Sequence, residues 1–219
     1  MGTNAPRPAA KDRAYEWVKE RILEGDYPGG ELLSEGEVAE ALECSRTPVR
    51  EAFLLLEAEG LMRLYPKRGA LVVPVTSEEI ADVMETRWVV EPHAAAMVSG
   101  RRDRAETVAT LGELIDEQER VLAAGDRGAF VEADRLFHHR IVEAAGNAIL
   151  TRVSHSLRDR QRRMVATTVA RAPDLTARFV AEHRAILAAI ERGEPGEAST
   201  LMRAHLEGSR RGIEGAVGS

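Results

Sequence analysis

Four side chains in the second half of the sequence have the types and spacing of a metal site. Asp134 and His138 stand four residues apart in a segment that also carries Phe130 and Phe137. On a helix, that spacing puts both on one face, converging on one point. His183 and His205 are 22 residues apart, and their midpoint, residue 194, falls in the helix-breaking run Gly193-Glu194-Pro195. Two helices folded back antiparallel about that turn bring equidistant residues to the same height, so the two imidazoles can meet. Three imidazole nitrogens and one carboxylate make a borderline-soft set, suited to Zn²⁺, Ni²⁺ or Mn²⁺ and unlike the sets that favour Ca²⁺ or Mg²⁺. An octahedral ion with four protein ligands keeps two positions for water or a ligand's carboxylate. The same spacing also fits a surface Asp–His ion pair and histidines satisfied in a helical core, and it does not choose between them. His93, His139 and His155 have no convergent partner of this kind.

A second group lies near the start of the chain. Projected at 100° per residue, Arg46 and Arg50 fall about 40° apart with Thr47 beside them, while Val49, Ala52, Leu55 and Leu56 fall opposite. One face is core and the other is polar and cationic. A guanidinium fork matches O6 and N7 of guanine, and a helix N-terminus attracts phosphate. Lys67 and Arg68, between two short β-prone runs, would reach the DNA backbone or minor groove next door. Each residue taken singly is explained as a solvated cation or as protection of a hairpin edge. Their order of short helix, turn, helix and hairpin favours DNA.

The elements that must position these groups are legible around them. A first helix carries Ala14, Trp17, Val18 and Ile22 and ends at Gly25-Asp26-Tyr27-Pro28-Gly29-Gly30. Ser34 with Glu37 forms a capping-box pattern for a short helix that buries Val38, Ala39 and Leu42. Ser45 can cap a third helix, whose early Pro48 is harmless because first-turn N–H groups lack intrahelical partners, and Gly60 stops it. Leu61 to Tyr65 and Ala70 to Val73, separated by Pro66-Lys67-Arg68-Gly69, read as a hairpin. Pro74 and a new cap at Thr76 with Glu79 place the domain boundary near residue 75, giving a DNA-binding domain over 1–75 and an effector-binding and dimerisation domain over 76–219.

Beyond it only helical periodicity appears: Ile80/Val83/Met84/Trp88, Leu111/Leu114/Ile115, Phe130/Ala133/Phe137/Ile141 and Ile186/Leu187/Ile190. Breaks are expected at Glu91-Pro92, Gly125-Asp126, Gly146-Asn147, Ala172-Pro173 and Gly193-Glu194-Pro195, with a frayed end from Gly212. The fold class is therefore mainly α: an N-terminal winged helix-turn-helix followed by an antiparallel bundle of six or seven helices.

Composition agrees. The 219 residues are 44% hydrophobic, 30% charged and only 4% aromatic, which suits helical packing and argues against disorder or a β-sandwich. No apolar run approaches a membrane span and Met1 to Lys11 has no signal-peptide core, so a cytoplasmic protein is expected. Cys44, the single cysteine, excludes an internal disulfide or a zinc ribbon and reads as a small buried hydrophobe. Net charge is −6, wrong in sign for a nucleic-acid binder, but its distribution is uneven. Residues 1–43 hold five Lys/Arg against ten Asp/Glu, whereas 44–73 hold five against three.

Leu33-Ser34-Glu35, Val38-Ala39, Ser45-Arg46-Thr47-Pro48-Val49-Arg50-Glu51-Ala52, Glu59-Gly60-Leu61 and Pro66-Lys67-Arg68-Gly69 resemble the GntR family of bacterial transcription regulators. The resemblance implies that Arg46, Thr47 and Arg50 contact an operator, that Ser45 helps hold a phosphate, and that Arg68 and Gly69 form the wing tip. The family often has Arg after the Ser-Glu pair where this chain has Gly36, which removes one expected contact. Arg87 to Ala95, Asp134-Arg135-Leu136-Phe137-His138, Ala145-Gly146-Asn147, Glu182-His183-Arg184-Ala185-Ile186 and Arg203-Ala204-His205-Leu206 resemble the FCD ligand domain of the FadR-like subgroup. That resemblance implies a divalent ion on Asp134, His138, His183 and His205, a small carboxylate effector, and Arg87 aimed at its carboxylate. Pairing of Arg87 with Glu91 at i+4 is the alternative for that residue.

A sequence-specific regulator, a repressor acting as a homodimer on a pseudo-palindromic operator, is the reading that joins both groups. A metal-only sensor is the second reading. A metal-dependent hydrolase is the third, but no carboxylate in the matching segments is spaced as its general base and His-Glu-x-x-His is absent. No enzyme activity is expected.

Overall fold

The computed structural model describes residues 9–66, 68–171 and 174–217, and the chain divides into two compact units between Pro74 and Val75. In the first unit the described elements are α1 (Ala10–Glu24), β1 (Leu32–Leu33), α2 (Glu35–Ala41), α3 (Arg46–Ala58), β2 (Met62–Tyr65) and β3 (Gly69–Val72). This is a winged helix-turn-helix. Ser34 caps α2 with a full capping box: Glu37 N–H donates to the Ser34 hydroxyl, and the Ser34 N–H donates to the Glu37 carboxylate. Ala14, Val18 and Ile22 of α1 share a core with Val49, Ala52, Phe53 and Leu56 of α3.

Leu55 departs from its expected place. It is 41% exposed, because the buried arc of α3 is centred on Val49, Phe53 and Leu56, and at 100° per residue Leu55 falls about 120° from Val49. The hairpin gains a third strand. β1 pairs antiparallel with β3 (Leu32 opposite Leu71, Leu33 opposite Ala70), giving the order β1-β3-β2. Two residues are too few to show alternation, so β1 has no periodic signal in the sequence.

Seven helices form the described part of the second unit: α4 (Ser77–Ser99), α5 (Ala105–Ala124), α6 (Arg127–Ala144), α7 (Ala148–Ser156), α8 (Arg158–Arg171), α9 (Asp174–Arg192) and α10 (Pro195–Val217). Gly125 and Gly193 take left-handed conformations, and Asp126 and Asn147 cap α6 and α7 through side-chain oxygens. Ile80, Leu111, Ile115, Phe130, Phe137, Ile141, Ile186 and Ile190 pack into one core.

Three expectations need correction here. The break at Glu91-Pro92 does not exist, since α4 runs through Pro92 and the chain turns instead at Gly100–Arg104. Pro92 removes a donor to the carbonyl of Trp88, and Trp88 is exposed, so water can satisfy that oxygen. Trp88, expected in the core, is 45% exposed and stacks under the Arg203 guanidinium, 4.6 Å from its ring centroid. The chain end is helical to Val217, with Ile213 and Ala216 buried. The expected break at Ala172-Pro173 and the tip residue Lys67 lie outside the described residues.

Candidate metal centre and nucleic-acid face

The helical unit brings its three singled-out histidines together. His138 on α6, His183 on α9 and His205 on α10 are each almost fully buried, and one nitrogen from each lies within 4.8 Å of the others. The α9–α10 hairpin turns at Gly193, as the spacing requires, and sets His183 Nε2 3.3 Å from His205 Nε2. Asp134, also buried, places Oδ1 3.8 Å from His183 Nε2, at the edge of the histidine cluster. Ring contacts fix the orientations: Phe137 stacks on His183 at 4.3 Å and Phe179 meets His205 edge-on at 5.6 Å. His139 and His155 approach each other at 6.1 Å and stand apart from the cluster, and His93 is exposed.

A shell of hydrogen-bond partners decides which nitrogen of each ring faces inward. Gln118 on α5 is fully buried, and its Nε2 donates to the Ala133 carbonyl at 3.2 Å. Its Oε1 therefore faces His183 Nδ1, at 2.8 Å, and makes that nitrogen the N–H donor. The Nε2 lone pair of His183 is left pointing at the cluster. Glu182 Oε2 likewise takes His205 Nδ1 at 2.8 Å. Glu91 Oε2 stands 2.8 Å from His138 Nδ1, off the line of a well-formed hydrogen bond, and His138 Nε2 has no hydrogen-bond partner among the described residues.

Burial keeps the His183 and His205 rings neutral. Burial, reinforced by His205, His138 and Arg87, holds the His183 pKa well below the ordinary histidine range. Burial also lowers His205, against the opposing effect of its bond to Glu182. Two neutral imidazoles whose Nε2 lone pairs meet at 3.3 Å repel unless an electrophile sits between them. Two nitrogens about 2.1 Å from one ion stand roughly 3.0 Å apart at octahedral angles and roughly 3.4 Å at tetrahedral ones. The observed distance lies in that interval, so His183 and His205 are spaced as two ligands of one divalent transition metal.

Arg87 is buried on α4 and engaged with Glu91, Nε to Oε1 at 2.6 Å and Nη2 to Oε2 at 3.3 Å. The i+4 pairing is thus present, but inside the unit and beside the histidines, not on the surface. Burial pushes the Glu91 carboxyl up, and Arg87 and His138 outweigh it, holding the group far below the usual carboxylate range. Gln161 Nε2 adds a contact to Glu91 at 3.4 Å. Arg87 Nη1 is directed to the Met84 sulfur, a weak acceptor, at 3.9 Å. Gln118, Glu182 and Gln161 escaped the sequence reading, and Glu91 was read only as a partner of Arg87, not as a neighbour of His138. Gln118 alone left a trace, as an apolar-spaced position after Leu111 and Ile115 occupied by an amide.

In the first unit Ser45, Arg46, Thr47 and Arg50 are exposed at the start of α3. Ser45 occupies the N-cap position without a side-chain cap bond, which leaves its hydroxyl available to a phosphate. A groove of about 630 Å³ runs between this helix start and the wing, with Gly36, Arg46, Arg50, Tyr65, Arg68 and Gly69 among its walls. The Arg46 guanidinium lies across Gly36, where a Cβ would stand 3.4 Å from Nη2. Arg50 is held only loosely by Glu35, at 3.9 Å and mostly exposed. The backbone at residue 69 demands glycine, because at φ +106° a Cβ would sit 2.2 Å from the Leu33 carbonyl oxygen, against β1.

Comparison with known proteins covers both units. Residues 10–72 match the model of the bacterial regulatory proteins of the gntR family, and residues 82–208 match the FCD domain. A probable D-xylose utilization operon transcriptional repressor of Paenarthrobacter nicotinovorans is 30% identical over 96% of this chain and 95% of its own. The galactonate operon transcriptional repressor of Escherichia coli K12 is 28% identical over 86% of this chain and 89% of its own. The crystal structure of a putative GntR transcriptional regulator from Rhodococcus sp. RHA1 superposes with a TM-score of 0.77 at 25% identity, covering 94% of this chain and 97% of that one. With a helix-turn-helix unit and an FCD unit matched in order along one chain, the protein belongs to the GntR family of DNA-binding transcriptional regulators and is not an enzyme.

Proposed function

We propose that this regulator is a homodimeric repressor whose operator affinity is set by a small carboxylate bound at a divalent metal in the FCD unit. The observation that carries it is the convergence of three buried imidazoles, two of them oriented from behind by Gln118 and Glu182, in a protein whose other unit reads DNA. His138, His183 and His205 would hold the ion, with Asp134 as the fourth ligand. A bound ion of this kind offers its remaining coordination positions to a carboxylate.

Arg87 would assist. Removing one partner of a buried ion pair leaves an uncompensated charge, at about 3–5 kcal/mol, so an incoming acid gains most by leaving Arg87 on Glu91 and using Nη1. One relative is named for a neutral sugar and another for a sugar acid. The buried cation beside the histidines favours the acid here. On the other unit, Ser45, Arg46, Thr47, Arg50, Arg68 and Lys67 would meet the operator, with Arg46 and Arg50 on base edges.

The test is calorimetry of metal-loaded protein against dicarboxylates, hydroxy acids and sugar acids, followed by operator binding with and without the best ligand. One acid should bind in a metal-dependent, Arg87-dependent way and lower operator affinity about 5- to 150-fold. A ligand whose affinity survives both metal removal and Arg87→Ala, or one that leaves operator binding unchanged, overturns the reading. Organic acids without effect, beside metal-dependent operator binding, would favour the metal-only sensor.

A further inference from the structure

Gly36 is the one described glycine of the first unit that its own backbone does not explain. Gly25, Gly30, Gly60 and Gly69 take left-handed conformations, and at Gly29 a Cβ would stand 2.5 Å from the Cα of Pro74. Gly36 has neither a left-handed φ nor a backbone neighbour in the way. It is the second residue of α2, where glycine is a poor choice because it loses more conformational freedom on folding than any other residue.

What fills the space of the missing side chain is Arg46. A Cβ built on Gly36 would meet Nη2 at 3.4 Å and Cζ and Nε at 3.7 Å each, the nearest atoms outside its own turn of helix. Distances this even place the guanidinium broadside over the glycine, not end-on. The support beneath it is firm. Ser34 and Glu37, on either side of Gly36, lock the start of α2 with their reciprocal bonds. The turn into α3 is tied back by the Cys44 N–H, which donates to the Ala39 carbonyl at 2.9 Å. Arg46 makes no ion pair or hydrogen bond among the described residues, whereas Arg50 has Glu35 at 3.9 Å. Its donors are therefore open to a nucleic acid, while its pose is set by packing on α2.

We propose that Gly36 is a specificity-determining position of the DNA-binding face: by carrying no side chain it lets the Arg46 guanidinium rest on α2, and so fixes which base pair Arg46 reads. This rests on the reading above that Arg46 meets a base edge. The 3.4–3.7 Å between the two groups is close to the rise of one base pair, ~3.4 Å. A side chain larger than a methyl group in that space moves the fork by about one base pair, or tilts it out of the plane in which it pairs with O6 and N7 of guanine. A Cβ alone makes an ordinary contact there, so alanine is accommodated.

The test starts from a randomised duplex pool, from which the wild-type full-length protein selects its preferred sequence. Affinities are then measured for every single base-pair change in that sequence. Arg46→Ala should flatten the preference at the base pair it contacts by about 5- to 150-fold. Gly36→Val should flatten the same preference by about 10-fold or more and leave binding to a random duplex within about 3-fold, whereas Gly36→Ala should stay near wild type. The double variant Gly36→Val/Arg46→Ala should match Arg46→Ala alone, because both changes act through one guanidinium. Circular dichroism and melting check the fold, and Gly36→Leu, a stronger helix former, repeats the measurement if Gly36→Val melts early. If Arg46→Ala alters no base preference, the base-edge reading fails and this inference fails with it. If Arg46→Ala flattens one pair while Gly36→Val and Gly36→Leu leave it intact, or if the losses add in the double variant, Gly36 does not place Arg46 and the base-edge reading stands.

Discussion

Gln118→Ala isolates the role of the shell behind the histidines. The side chain makes two bonds, one to the Ala133 carbonyl and one to His183 Nδ1, so the substitution frees the His183 ring to take the other tautomer or to tilt. Loss of such an outer partner typically weakens metal affinity about 10- to 100-fold. At a Zn²⁺ concentration about 100 times the wild-type dissociation constant, binding stabilises the folded protein by roughly 2.7 kcal/mol, or about 5–11 °C of melting temperature for a unit of this size. With a roughly 30-fold weaker site, the same concentration contributes only about 0.9 kcal/mol, or roughly 2–3 °C. The assay is thermal denaturation of chelator-stripped protein with and without Zn²⁺, comparing the metal-dependent increment alone. The variant also loses a buried hydrogen bond and will melt lower without metal, but that loss cancels in the increment. A full wild-type increment in Gln118→Ala would show that the amide packs the helices together and does not orient a ligand.

The remaining predictions concern both units. Arg46→Ala and Arg50→Ala should each cost about 1–3 kcal/mol of operator discrimination, measured as the ratio of specific to random-sequence binding, whereas Arg68→Ala should weaken both together; unchanged ratios at both helix positions would refute the assigned face. Gly69→Ala should destabilise the first unit by more than about 2 kcal/mol, since it adds a left-handed backbone penalty to a collision with Leu33, and its metal-dependent melting increment should be intact. Glu91→Gln should cost about 3–5 kcal/mol by leaving Arg87 buried without its counter-charge. Because the folded pKa of Glu91 lies below its unfolded one, its contribution is present above the ordinary glutamate range and fades as pH falls below about 5 towards the folded value. Acid titration of stability should therefore be shallower in Glu91→Gln, and equal slopes would contradict the pairing.

What could be read in the sequence depended on whether a residue's role was periodic or relational. His183 and His205 were readable because a hairpin centred on Gly193-Glu194-Pro195 converts chain distance into height along two helices. Asp134 and His138 were readable because they share a helix face. Glu91, Gln118 and Glu182 were not, because each acts across helices on a histidine whose position the chain pattern does not supply. Pro92 misled for a related reason: its ring interrupts one hydrogen bond, and whether a helix survives that depends on what satisfies the freed carbonyl. At Trp88 water can do so, and the packing of α10 along α4 holds the rest of the helix. Leu55 and Trp88 show the same limit, since their apolar types fit the core pattern and the exposed sides they occupy are set by tertiary packing.

α4 carries the charged neighbours of the histidine cluster. Glu91 touches His138, and Arg87 is the proposed contact for an effector's carboxylate. An acid that reaches Arg87 Nη1 while Arg87 stays on Glu91 acts on this helix without breaking the buried pair. For this to alter operator binding, the acid must favour one arrangement of the protein over the other, since equal affinity for both shifts nothing. Linkage then requires the same factor in reverse: whatever the acid does to operator affinity, the operator does to the affinity for the acid. Calorimetry of metal-loaded protein with and without operator should therefore give effector affinities that differ by the factor through which the effector changes operator binding, and equal affinities would refute the coupling.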